Sequence, residues 1–360
     1  MLHLWHLDEA AAPCADAMSN GVSLTALANG ATLGNPSFAG FSNCLNTADG
    51  GQFNFTATDK DAALSALPLV SGTGDDAAIT LADAASGAFT MEALVRVDFD
   101  PTANFSARAS GMQIISGEGD LTADRIFQFR LEPIGYGTVG DTNSPRLNFI
   151  NLRQGATAQN IFIAIPTNGV HAIASNVWFH VAVSYTGDAA ATNNFNFFWT
   201  RVDTNVTAAN LIGTSTLSYD LPVASCDFTL GNEGRATGGS SDNFVGAIDE
   251  VRISNMARAT NEFIFRSQPV LTASSYEAGS TNFPANIQDG NLGSRWSASG
   301  DGQWITFDLG RYELVSSVDL AFYLGTARTT SFDVLLGNDG VTWRTVLTNA
   351  VSSGTNLNLE

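Results

Sequence analysis

The run Trp178-Phe179-His180-Val181-Ala182-Val183-Ser184-Tyr185 decides the fold. Phe179, Val181, Val183 and Tyr185 alternate with His180, Ala182 and Ser184. That period of two lines one face of a strand with apolar side chains. The pattern recurs in Phe89-Thr90-Met91-Glu92-Ala93-Leu94-Val95-Arg96-Val97, in Arg125-Ile126-Phe127-Gln128-Phe129-Arg130-Leu131 and in Phe195-Asn196-Phe197-Phe198-Trp199-Thr200. Turn-forming clusters separate such runs, among them Ser71-Gly72-Thr73-Gly74-Asp75-Asp76 and Gly231-Asn232-Glu233-Gly234. Helical periodicity is nearly absent, and the one short helical turn expected is over 257–265. Many short strands without βαβ spacing predict an all-β protein built from antiparallel sandwiches.

Composition agrees with this and narrows the function. The chain has 360 residues, more than one ordinary domain needs, and 44% of them are hydrophobic, with 23 Phe and 6 Trp to build cores. Charged residues are only 14%, and the formal net charge is -19, with Lys60 as the single lysine. A surface of that sign repels a phosphate backbone and excludes nucleic acid as a partner. It offers little to an anionic bilayer, and no apolar run approaches membrane-spanning length. Spare carboxylates suit a hard cation such as Ca²⁺, or serve solubility.

Three cysteines cannot all pair within one chain. Cys14 and Cys44 could form one disulfide if the protein is exported, whereas Cys226 beside Phe228 reads as a small buried apolar residue. No basic segment followed by an apolar stretch opens the sequence, so either the protein is cytosolic or a leader lies outside these residues.

A change of pattern near 266–272 divides the chain into residues 1–267 and 268–360. Within the first part, four stretches in order carry a family resemblance: Leu4-Trp5-His6-Leu7-Asp8-Glu9, the Phe89 run, the Trp178 run, and Phe244-Val245-Gly246-Ala247-Ile248-Asp249-Glu250-Val251-Arg252-Ile253-Ser254. This part resembles the LamG-like, concanavalin A-like jelly-roll family. The resemblance implies two antiparallel sheets face to face and leaves the function open. In the second part, Ile287-Gln288-Asp289-Gly290-Asn291-Leu292-Gly293-Ser294-Arg295-Trp296, then Gln303-Trp304-Ile305-Thr306-Phe307-Asp308-Leu309-Gly310, then Phe332-Asp333-Val334 through Asp339-Gly340-Val341-Thr342-Trp343 resemble a discoidin, or F5/8 type C, domain. Such domains are galactose-binding-like and often bind carbohydrate. Their length usually exceeds 93 residues, so the second module is expected to be incomplete at Glu360. The fold expected is two β-sandwich (jelly-roll) domains in tandem.

The resemblance also implies sites. In discoidin-like modules a Ca²⁺ ion is commonly held by an Asp side chain, backbone carbonyls and a Thr or Ser hydroxyl. The matching residues are Asn286, Asp289, Asn291 and Ser294, the last an oxygen-preserving variant. Asp249 is a weaker metal candidate, with Asp8 or Asp16 in support. It adjoins Glu250 on a strand, so one of the two carboxylates is expected to be buried and the other solvated. A sugar stacks its apolar face on an exposed ring while planar polar groups take its hydroxyls. Tyr323 and Arg328 are the candidates, with Tyr276 and Asn282 further out. Trp296, Trp304 and Trp343 are expected in the core, and His6 and His180 as structural histidines.

Catalytic signatures are weak. A two-carboxylate glycosidase site could use Glu92 and Glu118 if they lay on adjacent strands, but no metalloprotease, nucleophile-elbow or phosphate-loop motif occurs. The leading expectation is a pair of non-catalytic modules that bind polysaccharide or another glycan, within a larger extracellular or cell-surface bacterial protein carrying further domains. The alternatives are a LamG-like hydrolase or lyase with an appended binding module, and a protein-protein adhesin.

Overall fold

The structure is a computed structural model. It describes residues 2–18, 23–28, 31–38, 41–47, 63–65, 81–82, 85–98, 111–118, 122–134, 144–202, 208–222, 228–232, 244–263, 270–288, 291–309, 315, 317–337 and 340–353. Contacts divide the chain into two units, Met1–Phe265 and Arg266–Glu360. The described residues form strands, three short 3-10 turns and no α-helix.

Two sheets make the first unit. One runs, in spatial order, β13 (Leu211–Ser215), β12 (Phe195–Arg201), β11 (Trp178–Tyr185), β6 (Phe89–Val97), β15 (Gly246–Ser254), β4 (Asn43–Asn46) and β3 (Thr32–Pro36), with β1 (His3–Trp5) also on β15. The other runs β10 (Gln159–Ala164), β9 (Arg146–Asn151), β8 (Arg125–Glu132), β7 (Met112–Glu118), β14 (Phe228–Leu230), β5 (Ala63–Ser65) and β2 (Ala26–Ala28). Every pairing is antiparallel, as in β11 on β6 with Val181 opposite Ala93. Period-two side chains from both sheets meet in one core that includes Phe89, Met91 and Val95 of β6, Phe127 and Phe129 of β8, Phe149 of β9 and Trp199 of β12. Phe179 stacks on Trp199 at 4.6 Å and Phe127 on Phe149 at 5.9 Å. Burying such rings removes a large apolar area from water and stabilises the unit.

The first sheet is buried on its second face as well. There Leu94, Trp178, Ala182, Phe198 and Ala247 form a smaller cluster closed by Phe263. Residues 256–263 cross this face as an irregular strap, where a helical turn was expected. The strap is tied to the sheet: Thr90 Oγ1 donates to the Met256 carbonyl at 2.6 Å, and Arg258 N donates to Thr90 Oγ1 at 3.0 Å.

The second unit has two antiparallel ribbons, β16 (Val270–Ala273) with β17 (Ile305–Asp308) and β18 (Ser331–Leu336) with β19 (Arg344–Val351). A two-stranded ribbon cannot enclose an indole. Accordingly Trp304 is 52% exposed and Trp343 41%, which corrects their expected place in a core.

Candidate functional site

The loop after Pro284–Gln288 carries the cation candidates. Asp289 lies outside the described residues. Asn286, Asn291 and Ser294 are brought together: the Ser294 hydroxyl donates to the Asn291 carbonyl at 2.8 Å and reaches the Asn286 carbonyl at 3.4 Å. The Asn286 amide donates to the carbonyls of Thr281 and Arg295, which fixes the turn. Two carbonyls and a hydroxyl converging in a short loop are the oxygen donors a hard cation takes, so these residues fit calcium. Among the described residues no group of three His, Cys, Asp or Glu is placed to hold a metal ion.

Beside this loop the sugar candidates are placed unevenly. Tyr323 is 45% exposed, and the Arg295 guanidinium lies 3.8 Å from its ring centroid. One face of the ring is thus committed to a cation–π contact, and nearly half of the residue is open to solvent. Arg295 was not singled out from sequence, since nothing local joins it to a tyrosine 28 positions away. Arg328 is exposed at the end of the same turn, its backbone N–H donating to Leu324. Tyr276 is half exposed and tilted against Phe283 at 5.6 Å. The Asn282 amide donates to Glu277, a carboxylate that also accepts from Ser297 Oγ and is held below its ordinary range by those bonds, the Ser297 bond first. Tyr323 and Arg328 therefore share one turn, and Tyr276 and Asn282 share another.

In the first unit Glu92, Glu118, Glu132, Asp249 and Glu250 are buried. Glu92 and Glu118 lie on different sheets, because β6 and β7 are consecutive in the chain but not neighbours in space, so they form no adjacent pair. Glu92 accepts from His180 Nε2 at 2.9 Å, with Arg258 Nε 3.7 Å from its other oxygen. Burial raises its carboxyl, but the His180 hydrogen bond and the Arg252 and Arg258 charges outweigh that and hold it below the ordinary value. Burial likewise pushes His180 below its usual value, so the imidazole is neutral.

Asp249 and Glu250 depart from the expected strand geometry. The ladder to β6 slips between Asp249 and Arg252, and Glu250 takes a φ of 48°. This bulge buries both residues, at 0% and 3% exposure, where one was expected in solvent. Asp249 accepts from the Ser37 hydroxyl and the Glu250 amide, and burial raises its carboxyl well above the usual range. Glu250 accepts from His6 Nδ1 at 2.6 Å and Arg252 Nη2 at 2.7 Å. Burial opposes these partners, yet they bring it down to about 2. Asp16 accepts from His3 and Leu4, and Asp8 accepts from Asn43.

These shifts give a pH profile with a definite sign. Glu250 and Glu92 sit below their ordinary value of 4.5, so their stabilisation is present above pH 4.5 and is lost as pH falls through their lowered values, which for Glu250 is about 2. His180 adds to the loss below its ordinary 6.5, since protons then favour the unfolded chain. Asp249, whose carboxyl is raised, gains stability in acid and opposes this loss. With that group removed as Asp249→Asn, urea unfolding of the first unit at pH 7 and pH 3.5 should show a midpoint markedly lower in acid, and equal midpoints in that variant would contradict these assignments.

The outer face of the second sheet holds a further polar group that the sequence showed only as alternation along β8. Gln128, Arg130 and Glu132 point away from the core, with Asn148 opposite Arg130 and Arg146 opposite Glu132. Glu132 accepts from Arg130 Nη2 and Asn148 at 2.7 Å each, and Arg146 pairs with it at 2.6 Å. All five are buried.

Residues 270–359 match the F5/8 type C domain family. The second unit is therefore a domain of discoidin type. No curated protein sequence matches the chain. Among solved structures, the chain is similar to the full-length tailspike protein 2 of an Escherichia coli O157:H7 bacteriophage, at 14% identity over 65% of this chain and 25% of that one, TM-score 0.38. It is similar also to domain 4 of an extracellular arabinanase from Geobacillus stearothermophilus in complex with arabinotriose, at 12% identity over 72% and 93%, TM-score 0.39. The receptor binding domain of botulinum neurotoxin type G gives 11% identity over 76% and 57%, TM-score 0.39. The chain thus spans a quarter of the tailspike's length.

Proposed function

We propose that the chain is a pair of non-catalytic carbohydrate-binding modules of a larger extracellular protein, with the second unit as the principal reader of glycan. The observation that carries this is the half-exposed Tyr323 ring, braced by Arg295 beside the Asn286–Ser294 loop in a domain of discoidin type. A ring held in place loses little entropy when a pyranose stacks on it. The first unit supports the non-catalytic part: its buried Glu92, Glu132 and Glu250 each accept from Arg or His side chains, which suits structural ties better than proton transfer. Calcium would brace the loop through the Asn286 and Asn291 carbonyls and Ser294, with Asp289 as its charged ligand. A bound ion stabilises the folded form by mass action.

A glycan array probed with the full chain, with and without EDTA, tests the reading. The expected result is binding to a restricted set of glycans. Tyr323→Ala should weaken it about tenfold, as loss of one stacking contact predicts. Millimolar Ca²⁺ should raise the unfolding temperature of the second unit. New reducing ends or unsaturated products released from the same glycans would instead favour an enzyme, and binding only to protein ligands would favour an adhesin.

A further inference from the structure

A second exposed tyrosine, in the first unit, stands on a more elaborate base. Arg153, Gln154 and Gly155 take φ values of 51°, 50° and 85° in succession, a left-handed turn that two non-glycine side chains enter only at a cost. The surroundings hold the turn there. The buried Asn151 accepts from the Arg153 amide at 3.2 Å, Gln154 Nε2 donates to the Ala123 carbonyl at 2.9 Å, and a side chain at Gly155 would collide with Thr122. The result of the turn is to lay the Arg153 guanidinium 3.5 Å from the centroid of the Tyr219 ring, with Nη1 donating to the Thr157 carbonyl.

Tyr219 is fixed from beneath by the same asparagine. Asn151 Nδ2 donates to the carbonyls of Tyr219 and Asp220 at 2.9 and 3.1 Å, and the Asp220 carboxylate accepts from the Tyr185 hydroxyl at 2.6 Å. Tyr219 nevertheless remains 47% exposed. Backbone strain, a keystone asparagine and a braced ring left open to solvent do not serve packing. We propose that Tyr219, with Arg153 stacked on it, is a carbohydrate-binding platform of the first unit. The Tyr219 ring would take the apolar face of a pyranose, and Arg153 and Gln154 its hydroxyls.

Charge selects the ligand class. The chain carries a net charge of -19, so a polyanionic chain would be repelled over the long range that one arginine cannot offset. The platform therefore fits a neutral polysaccharide. This site is independent of the second-unit reading, and the test separates the two.

Affinity electrophoresis of the full chain through gels containing xyloglucan, galactomannan, arabinan or polygalacturonate supplies the probes. At least one neutral polysaccharide should retard the protein, and Tyr219→Ala and Arg153→Ala should each weaken that retardation about tenfold while the unfolding temperature stays within a degree or two of wild type. Tyr323→Ala should leave part of it in place. Retardation unchanged in Tyr219→Ala, abolished entirely by Tyr323→Ala, or confined to polygalacturonate would overturn the platform and leave the second-unit site standing. Loss with Tyr219→Ala alone would confirm the platform and overturn the second-unit site. No retardation in any gel would overturn the platform.

Discussion

Arg258→Ala should cost the first unit about 3–5 kcal/mol, the range for removing one partner of a buried ion pair. Arg258 is 5% exposed and does three things at once. Its Nε lies 3.7 Å from Glu92, its Nε and Nη2 donate to Ser254 Oγ, and its Nη1 donates to the Glu262 carbonyl at 2.9 Å. Truncation takes one cation from a fully buried Glu92 and unpins the strap that carries Phe263 onto Phe198 and His180. Part of the cost is a buried carboxylate left with one cation fewer, Arg252 and the His180 bond remaining. The double variant Glu92→Met with Arg258→Met should therefore recover a substantial part of it, since a buried pair replaced by apolar side chains is often neutral. Urea denaturation of the three proteins at pH 7 decides the matter. A loss below about 1 kcal/mol for Arg258→Ala would mean the strap is held by its apolar contacts alone.

Gly187→Ala should be similarly disruptive, by a different route. Gly187 follows β11 at a φ of 83°, and a Cβ there would lie 2.7 Å from the Ala88 amide nitrogen and closer still to the Ser86 carbonyl. Both neighbours are backbone at the start of β6, so neither can rotate away. Relief requires prising β11 from β6 at Tyr185 and Phe89, which are opposite each other in the ladder and buried in the core. The expected cost is about 2–4 kcal/mol. Gly169→Ala is the matched control. Its φ of 80° is alike, but a Cβ would meet nothing within 4 Å, so it isolates the dihedral strain at about 1 kcal/mol. Equal unfolding temperatures for the two variants would show that the close approach to Ser86 is not rigid.

The sandwich was legible because alternation is a local property. Phe89–Val97 and Trp178–Tyr185 each announce a strand with one apolar face, and the structure pairs them directly. What alternation cannot announce is which strands share a sheet. Glu92 and Glu118 looked like neighbours because β6 and β7 follow one another, yet the chain crosses to the opposite sheet between them. The bulge at Asp249 and Glu250 was hidden for a related reason. A register slip is set by the partner strands, here β6 and β1, and leaves no local mark. At the candidate site, the loop residues Asn286, Asn291 and Ser294 could be found because they are close in sequence. Arg295 on Tyr323 and Arg153 on Tyr219 could not, since each pair joins segments separated by tens of residues.

The two described cysteines have a consequence for how this chain can be handled. Cys14 and Cys44 are both buried free thiols, and Cys44 sits on β4 with its Sγ toward the Pro36 carbonyl. Burial is the first cause that raises Cys14 above its ordinary value, and it pushes Cys44 up to about 12. At neutral pH Cys44 is then the thiol and not the thiolate, the form that attacks electrophiles and disulfides. Both sulfurs are in effect chemically silent while the fold holds. Neither of these two sulfurs takes part in a disulfide, and alkylation at Cys14 and Cys44 reports opening of the fold around them.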